Sequence, residues 1–401
     1  VKARPRSLAG DGVNPPVAED SAGIAELLPL HVGLAAQPRE DMPMKIAQIA
    51  PLAESVPPRL YGGTERIVSY LTEELVRQGH DVTLFASGDS VTAARLARCA
   101  TAALRLNPAV RDPLPHHLLM LEQVRQRAAE FDVLHFHIDL LQYPLLRTIA
   151  TPSVTTLHGR LDMPDLAPIY RAFPEVPLVS ISDAQRAPMP PVRWVRTIHH
   201  GLPRRLMAFR PRAAADGHLA FLGRISPEKR PDRAIAIATR AGLRLRMAAK
   251  IDNADIDYWR EKIEPLVRDN PLVEFVGEIG EHDKAAFLGG AAALLFPIDW
   301  PEPFGLVMIE AMACGTPVIA FPCGSAPEVV DHGLTGFLVD SVEDAVAAVR
   351  RVPELDRARV RAVFERRFSI ERVAADYTQV YLSLCERGRP IRPARVLPLT
   401  A

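Results

Sequence analysis

From residue 44 onward, short apolar runs alternate with amphipathic stretches. "MKIAQIA" (44–50) predicts a strand, and "TERIVSYLTEELVRQGH" (64–80) predicts a helix with Thr64 as its N-cap and Gly79 at its end. "DVTLFAS", "DVLHFH", "SVTTLH" and "PLVSIS" follow as strands, several of them separated by helical text. Near-continuous apolar strands with helices between them belong to a parallel sheet covered on both faces. The pattern breaks at 201–217, "GLPRRLMAFRPRAAADG", a Pro/Arg/Ala linker. It restarts with "HLAFLGR", "LRLRMAAK", "VEFVGE", "AALLFP", "PVIAF" and "GFLVD".

The expected fold is therefore α/β, with two successive Rossmann-like, doubly wound parallel-sheet domains. Ligands of such sheets bind at the carboxyl ends of the strands, which directs attention to a cleft between the domains. The division predicted is a flexible tail over 1–43, an N-terminal domain over 44–205 and a C-terminal domain over 206–368. A last helix, roughly 369–386, then packs back towards the N-terminal domain before a tail to 401.

Composition narrows the function. The 401 residues are 48% hydrophobic and 24% charged, ample for sizeable cores, and the length favours two domains. Lysine plus arginine equals aspartate plus glutamate, 48 each, so no global basic surplus invites nucleic acid. Cys99, Cys314, Cys323 and Cys385 have neither metal-ligand nor disulfide-framework spacing and read as reduced thiols. The longest apolar run, 285–298, falls short of the ~20 residues of a membrane span. The apolar run near the start carries Glu26 and His31, unlike a secretory leader. The expected setting is cytoplasmic with no transmembrane segment; peripheral contact with a membrane stays open.

Three strand-to-helix loops carry the candidate chemistry. In "PPRLYGGTER" (57–66), Gly62 and Gly63 let backbone approach a ligand at a helix start, whose free N–H groups suit an anion. In "FLGRISPEKRPDRAI" (221–235), Arg224 and Lys229 flank a turn, and two cations there can neutralise a diphosphate. Each such charge pair at ~4 Å and an effective dielectric of 20 is worth about 4 kcal/mol before desolvation. An ordinary solvated basic turn is the competing reading.

The third loop, "PEPFGLVMIEAMACG" (301–315), places Glu302 just outside a helix expected to begin near Phe304. Gly305 gives room for close approach, and Glu310 lies inside the helix among apolar neighbours. A carboxylate in such company needs a specific partner.

Together these motifs resemble the retaining glycosyltransferases of family 4, which have the GT-B fold; the resemblance covers about 44–386. It implies that Arg224 and Lys229 hold the diphosphate of a nucleotide-sugar donor and stabilise its charge as the glycosidic bond breaks. Glu302 would contact sugar hydroxyls and Glu310 the ribose hydroxyls. Gly62, Gly63, Gly305 and Leu306 would offer backbone amides, with Phe304 beside them in the donor site. His158 in "TTLHG" would line the reaction centre, making His158, Arg224, Lys229 and Glu302 the catalytic set. "SYLTEELVRQGHDVTLFASGDS", "TLHGRLDMPDL" and "ISDAQRAP" most resemble the UDP-glucose:tetrahydrobiopterin glucosyltransferase branch. The implied partners are a donor, UDP-glucose first, and a small-molecule or glycan acceptor. Acceptor contacts are expected from His137, Asp139 and Arg160, and no cofactor or metal is expected. A sugar-nucleotide sensor without turnover is the alternative.

Other signals are weaker. His135 and His137 share one strand face without a third ligand, which favours a structural role over a metal site. Asp255 and Asp257 in "ADID" form a common triplet at a helix start. Glu328 reads as a structural helix-start residue. Against the family pattern, Arg230 adds a charge after Lys229, His200-Gly201 replaces Asn-Gly, and Lys250 stands where a glycine-rich turn is usual.

Overall fold

The computed structural model describes residues 43–386 apart from 60, 61, 106 and 216; the tail expected over 1–43, save its last residue, and the chain beyond 386 lie outside these. Two wholly parallel sheets account for the alternation read from the sequence. The first contains β1 (Lys45–Ile49), β2 (Asp81–Ser87), β3 (Arg95–Ala100), β4 (Val133–Phe136), β5 (Ser153–Thr156), β6 (Leu178–Ser180) and β7 (Trp194–Thr197). Its spatial order is β3-β2-β1-β4-β5-β6-β7. The second contains β8 (Leu219–Arg224), β9 (Leu245–Lys250), β10 (Val273–Gly277), β11 (Ala293–Phe296), β12 (Val318–Ala320) and β13 (Gly336–Leu338), in the order β10-β9-β8-β11-β12-β13.

Both orders reverse once, between β1 and β4 and between β8 and β11. Loops leave a doubly wound sheet in opposite directions at such a point and open a crevice beyond the strand ends. The loops after β1 and β4 carry Gly62, His137 and Asp139. Those after β8 and β11 carry Lys229, Glu302 and Gly305. Fold topology alone thus brings the candidate loops to the two switch points.

Two strands escaped the sequence reading, β3 and β7. Both are edge strands, and their arginines (Arg95, Arg98 and Arg196) interrupt the apolar run that marks a strand buried on both faces. Two helix starts also differ from expectation. The first helix begins at Gly63 with Gly62, not Thr64, in the N-cap position. The helix after β11 runs Leu306–Ala313, two residues later than expected, because Gly305 takes a left-handed conformation (φ 78°) that the helix cannot include.

The chain passes between the halves twice. Leu202 N donates to Phe368 O at 2.9 Å and Ile370 N to Leu202 O at 3.0 Å, so the two passages are paired. Gly201 is needed there, since a Cβ would lie 2.6 Å from Val373 and under 3 Å from two carbonyl oxygens. The helix Ile370–Glu386 then returns to the first sheet. Ile370, Val373, Ala374, Tyr377, Val380, Tyr381 and Leu384 form its buried stripe, packed with Ile46, Val133, Val154 and Val179. A second core cluster joins the halves themselves, with Ile67, Ile181 and Leu202 packed among Phe304, Met308 and Phe368. Among the described residues no helix is long and apolar enough to cross a membrane.

Candidate active site

A cavity of about 770 Å³ opens between the two switch points and is lined from both halves. Its walls include Gly62, Gly63, His158 and Arg160 from the first half. From the second come Arg224, Lys229, Glu302, Phe304, Gly305, Leu306 and Glu310. The structure therefore brings the candidate donor residues around one space.

Two helix N-termini face each other across it, and a Cβ on Gly63 would sit 3.9 Å from Leu306 Cδ1. Neither helix start has a side-chain cap, which leaves its first amides available to an anion. Gly305 cannot be replaced without disturbance, because a Cβ there would come within 2.9 Å of Met308 and Phe296 side-chain atoms. Phe304 lines the same cavity and also packs into the core behind it. The residue is 2% exposed, and its ring packs edge-on against His200 (5.0 Å) and against Phe368.

The cations are held by carboxylates. Arg224, at the end of β8, pairs with Glu228 at 3.0 Å and lies 3.6 and 3.9 Å from Asp252 and Asp255. Asp255 is thus an arginine partner, and among the described residues no cluster of three or more His, Cys, Asp or Glu could hold a metal. Lys229 Nζ bonds Glu302, whose same oxygen accepts from Trp300 Nε1 at 2.9 Å, and the ammonium lies 4.8 Å from the Trp300 ring centre. Arg230, the extra charge noted in the sequence, is tied to Asp232 (2.9 Å) and Asp299 (2.7 Å). Lys250 is bound by Asp252 at 2.7 Å.

Glu310 is buried, and its partner is Lys284 Nζ at 2.7 Å. Burial works to lower the Lys284 ammonium, but Glu310 and Glu281 outweigh it and hold the group above an ordinary lysine. Glu281 in turn binds Arg66 and accepts from Tyr70 Oη at 3.3 Å, so the network crosses from the first helix to the second half. Sequence reasoning missed Lys284 and Glu281, because "EHDKAAFLGG" reads as an ordinary polar helix. Trp300 could have been found, two residues before Glu302 in a Pro-rich loop.

His158 stands on the wall shared with a smaller cavity of about 300 Å³, lined by Pro51, Thr64, His117, His137, Asp139 and others. Burial pushes the His158 imidazolium down to about 3, and His137 and His200 well below the usual value. All three are neutral at physiological pH, which suits hydrogen bonding and not proton donation. His200 stacks on His158 at 5.3 Å. Asp139 is an exposed residue with φ 56°, and His137 is buried beside His158. Arg160 pairs with Asp162 at 2.7 Å and lies 5.7 Å from the Trp300 ring, spanning the two halves. His135 is consumed structurally, with one ring nitrogen bonded to Tyr381 and the other to Thr156. Glu328 is structural as well, accepting from the backbone of Asp183 and Ala184 and bonding His199.

The model described as "Glycosyltransferase Family 4" matches residues 61–260, and that described as "Glycosyl transferases group 1" matches 212–363. The chain belongs to the family-4-like GT-B glycosyltransferases. Within that family it is 34% identical over 187 residues to the D-inositol 3-phosphate glycosyltransferase of a Nocardioides species, covering 41% of each chain. The matched part spans about two fifths of that relative's length. Similarity to glycogen synthase of Mycobacterium tuberculosis is lower, 28%, but extends over 84% of this chain and 95% of that protein. The GT-B architecture is shared with Anabaena Alr3699/HepE, solved in complex with UDP-glucose (TM-score 0.61, 18% identity, 85% of this chain and 100% of that one).

Proposed function

We propose that this family-4-like chain is a retaining hexosyltransferase that moves glucose from UDP-glucose to a hydroxyl-bearing acceptor. The observation that carries the reading is the meeting of two uncapped helix starts with Arg224 and Lys229 at one cavity, flanked by Glu302 and Glu310. A nucleotide sugar is long. With its diphosphate over the helix starts, its sugar reaches Glu302 and its ribose reaches Glu310, each carboxylate accepting from hydroxyls.

In the reaction the bond between sugar C1 and the phosphate oxygen breaks as C1 becomes oxocarbenium-like. Negative charge grows on the departing diphosphate, where the cations and helix amides act. The acceptor oxygen attacks from the face the phosphate leaves, and its proton passes to a phosphate oxygen. A double-displacement route needs a carboxylate nucleophile. Glu302 is poorly suited to that role, since Lys229 and Trp300 both bond it.

The small cavity beside His137 and Asp139 fits the acceptor, for which a reduced pterin, another small molecule or a glycan end are the classes to test. The branch resemblance to UDP-glucose:tetrahydrobiopterin glucosyltransferases places the pterin first, and a cytoplasmic setting goes with it. The deciding experiment incubates the protein with UDP-glucose and an acceptor panel, following UDP release and product mass, with the product's anomeric configuration read by NMR. Release of UDP with an α-linked product supports the reading. Tight donor binding without release supports a sensor instead, and an inverted product overturns retention.

A further inference from the structure

Behind the His158 wall runs an unbroken chain of buried side-chain hydrogen bonds. His158 Nε2 meets His137 Nδ1 at 2.8 Å, His137 Nε2 meets Gln48 Oε1 at 2.8 Å, and Gln48 Nε2 donates to Tyr381 Oη at 3.1 Å. From there Tyr381 Oη meets His135 Nδ1 at 2.7 Å, and His135 Nε2 meets Thr156 Oγ1 at 2.8 Å. Thr156 Oγ1 meets Tyr377 Oη at 2.9 Å and ends the chain. Gln48, His135, Thr156 and Tyr381 are fully buried. Three strands of the first sheet and the C-terminal helix contribute to it.

Proton positions follow from the amide. Its carbonyl oxygen only accepts, so His137 Nε2 carries a hydrogen and the neutral ring's Nδ1 is bare. A bare Nδ1 also only accepts, so His158 carries its hydrogen on Nε2, and its own Nδ1 is bare. That Nδ1 is buried and has no protein partner. Reversal of the Gln48 amide would invert every step and leave an N–H at His158 Nδ1 without an acceptor. Buried orphan donors are rarer than under-satisfied acceptors, which favours the arrangement observed. Tyr381 contributes by accepting the amide N–H; without its hydroxyl that N–H would be a buried orphan donor, and the reversed amide, which leaves only an under-satisfied carbonyl there, would be favoured.

We propose that Gln48 and Tyr381 are positioning residues that hold His158 as a single Nε2–H tautomer, with its ring fixed on the wall between the two cavities. Neither residue touches the cavity; both act through His137. The kinetic consequence rests on the transferase reading above, since a reacting sugar and an acceptor would meet at that wall. The tautomer itself does not rest on it.

The test is long-range ¹⁵N–¹H NMR of histidine-labelled full chain, with Gln48→Met and Tyr381→Phe compared to the parent and folding checked by thermal melt. The expected parent signal is His158 as Nε2–H alone, and each variant should show both tautomers or a shift to Nδ1–H. With UDP-glucose, each variant should lose roughly threefold to tenfold in kcat, as for one lost hydrogen bond, with donor KM within about twofold. A parent His158 protonated on Nδ1, or a tautomer unchanged in both folded variants, overturns the proposal. A shifted tautomer with unchanged kcat overturns its kinetic part. Absence of turnover with any nucleotide sugar counts against the transferase reading, and the NMR arm then still decides the relay.

Discussion

Lys284 Nζ lies 2.7 Å from Glu310 Oε1 and ties the carboxylate in the middle of the Leu306–Ala313 helix to a neighbouring helix. Glu310 is the more deeply buried partner, so removing the lysine strands a charge in low dielectric. Lys284→Met should cost about 3 kcal/mol in chemical denaturation. The sign with pH follows from the raised ammonium: the stabilisation is complete below the unfolded value near 10.5 and fades as pH climbs through the higher folded value. The gap between parent and variant should therefore be flat from pH 7 to 9 and close above about pH 10.5. A gap that closes on acidification towards neutrality would contradict the assignment.

Lys229 offers the opposite balance. Glu302 keeps the Trp300 N–H when the lysine is removed, so Lys229→Ala should melt close to the parent. Its turnover with UDP-glucose should fall about 10²-fold or more, the scale of losing one preorganised charge at a developing anion. Parallel loss of melting temperature and turnover would mark the lysine as structural.

Gly324 presses directly on the Glu302 peptide. A Cβ there would lie 2.3 Å from both Glu302 N and Glu302 O, at a φ of 56° that already disfavours alanine. Gly324→Ala should destabilise by about 1–3 kcal/mol and raise donor KM, as measured by urea unfolding and initial rates. An unchanged KM in the folded variant would separate this glycine from the site.

Glu328 links the halves outside the cavity. Burial works to raise its carboxyl, but the His199 bond and the amides of Asp183 and Ala184 prevail and hold it below the ordinary value. Such a group stabilises above the unfolded value near 4.5 and loses that contribution as pH falls through the lower folded one. Glu328→Gln should accordingly flatten the acid side of the melting-temperature profile below about pH 4.5 and leave the alkaline side unchanged.

On the proposed reading, Arg224 and Lys229 take the place of a divalent ion in neutralising the diphosphate. Dialysis against EDTA is expected to leave UDP release within about twofold, since fixed cations perform the same electrostatic role. Loss of activity restored by Mg²⁺ or Mn²⁺ would reverse that expectation.

Legibility followed burial. Strands such as β1 and β4, covered on both faces, announce themselves as apolar runs, whereas β3 and β7 at the sheet edge alternate with arginine and pass for loops. Glu302 and Glu310 stood out because their neighbours are apolar, glycine or proline. Lys284 did not, because a lysine in a polar helix looks solvated until the opposite carboxylate is placed in space. Tyr377 and Tyr381 were hidden for another reason: aromatics four apart on a helix read as core, and only the fold reveals hydroxyls bonded to strand side chains. The short Phe304–Gly305 offset shows the limit of boundary reading, where one left-handed glycine outweighs the propensity of the residues around it.

The paired chain passages at Leu202 and Ile370 bear on any attempt to recombine this protein with its relatives. A chimera cut once, at the linker near 206, would receive a foreign C-terminal helix beneath its first sheet and lose the tyrosine hydroxyls that His135 and Gln48 require. A graft that exchanges the first half should carry residues 370–386 with it, making the natural unit of exchange two segments remote in sequence.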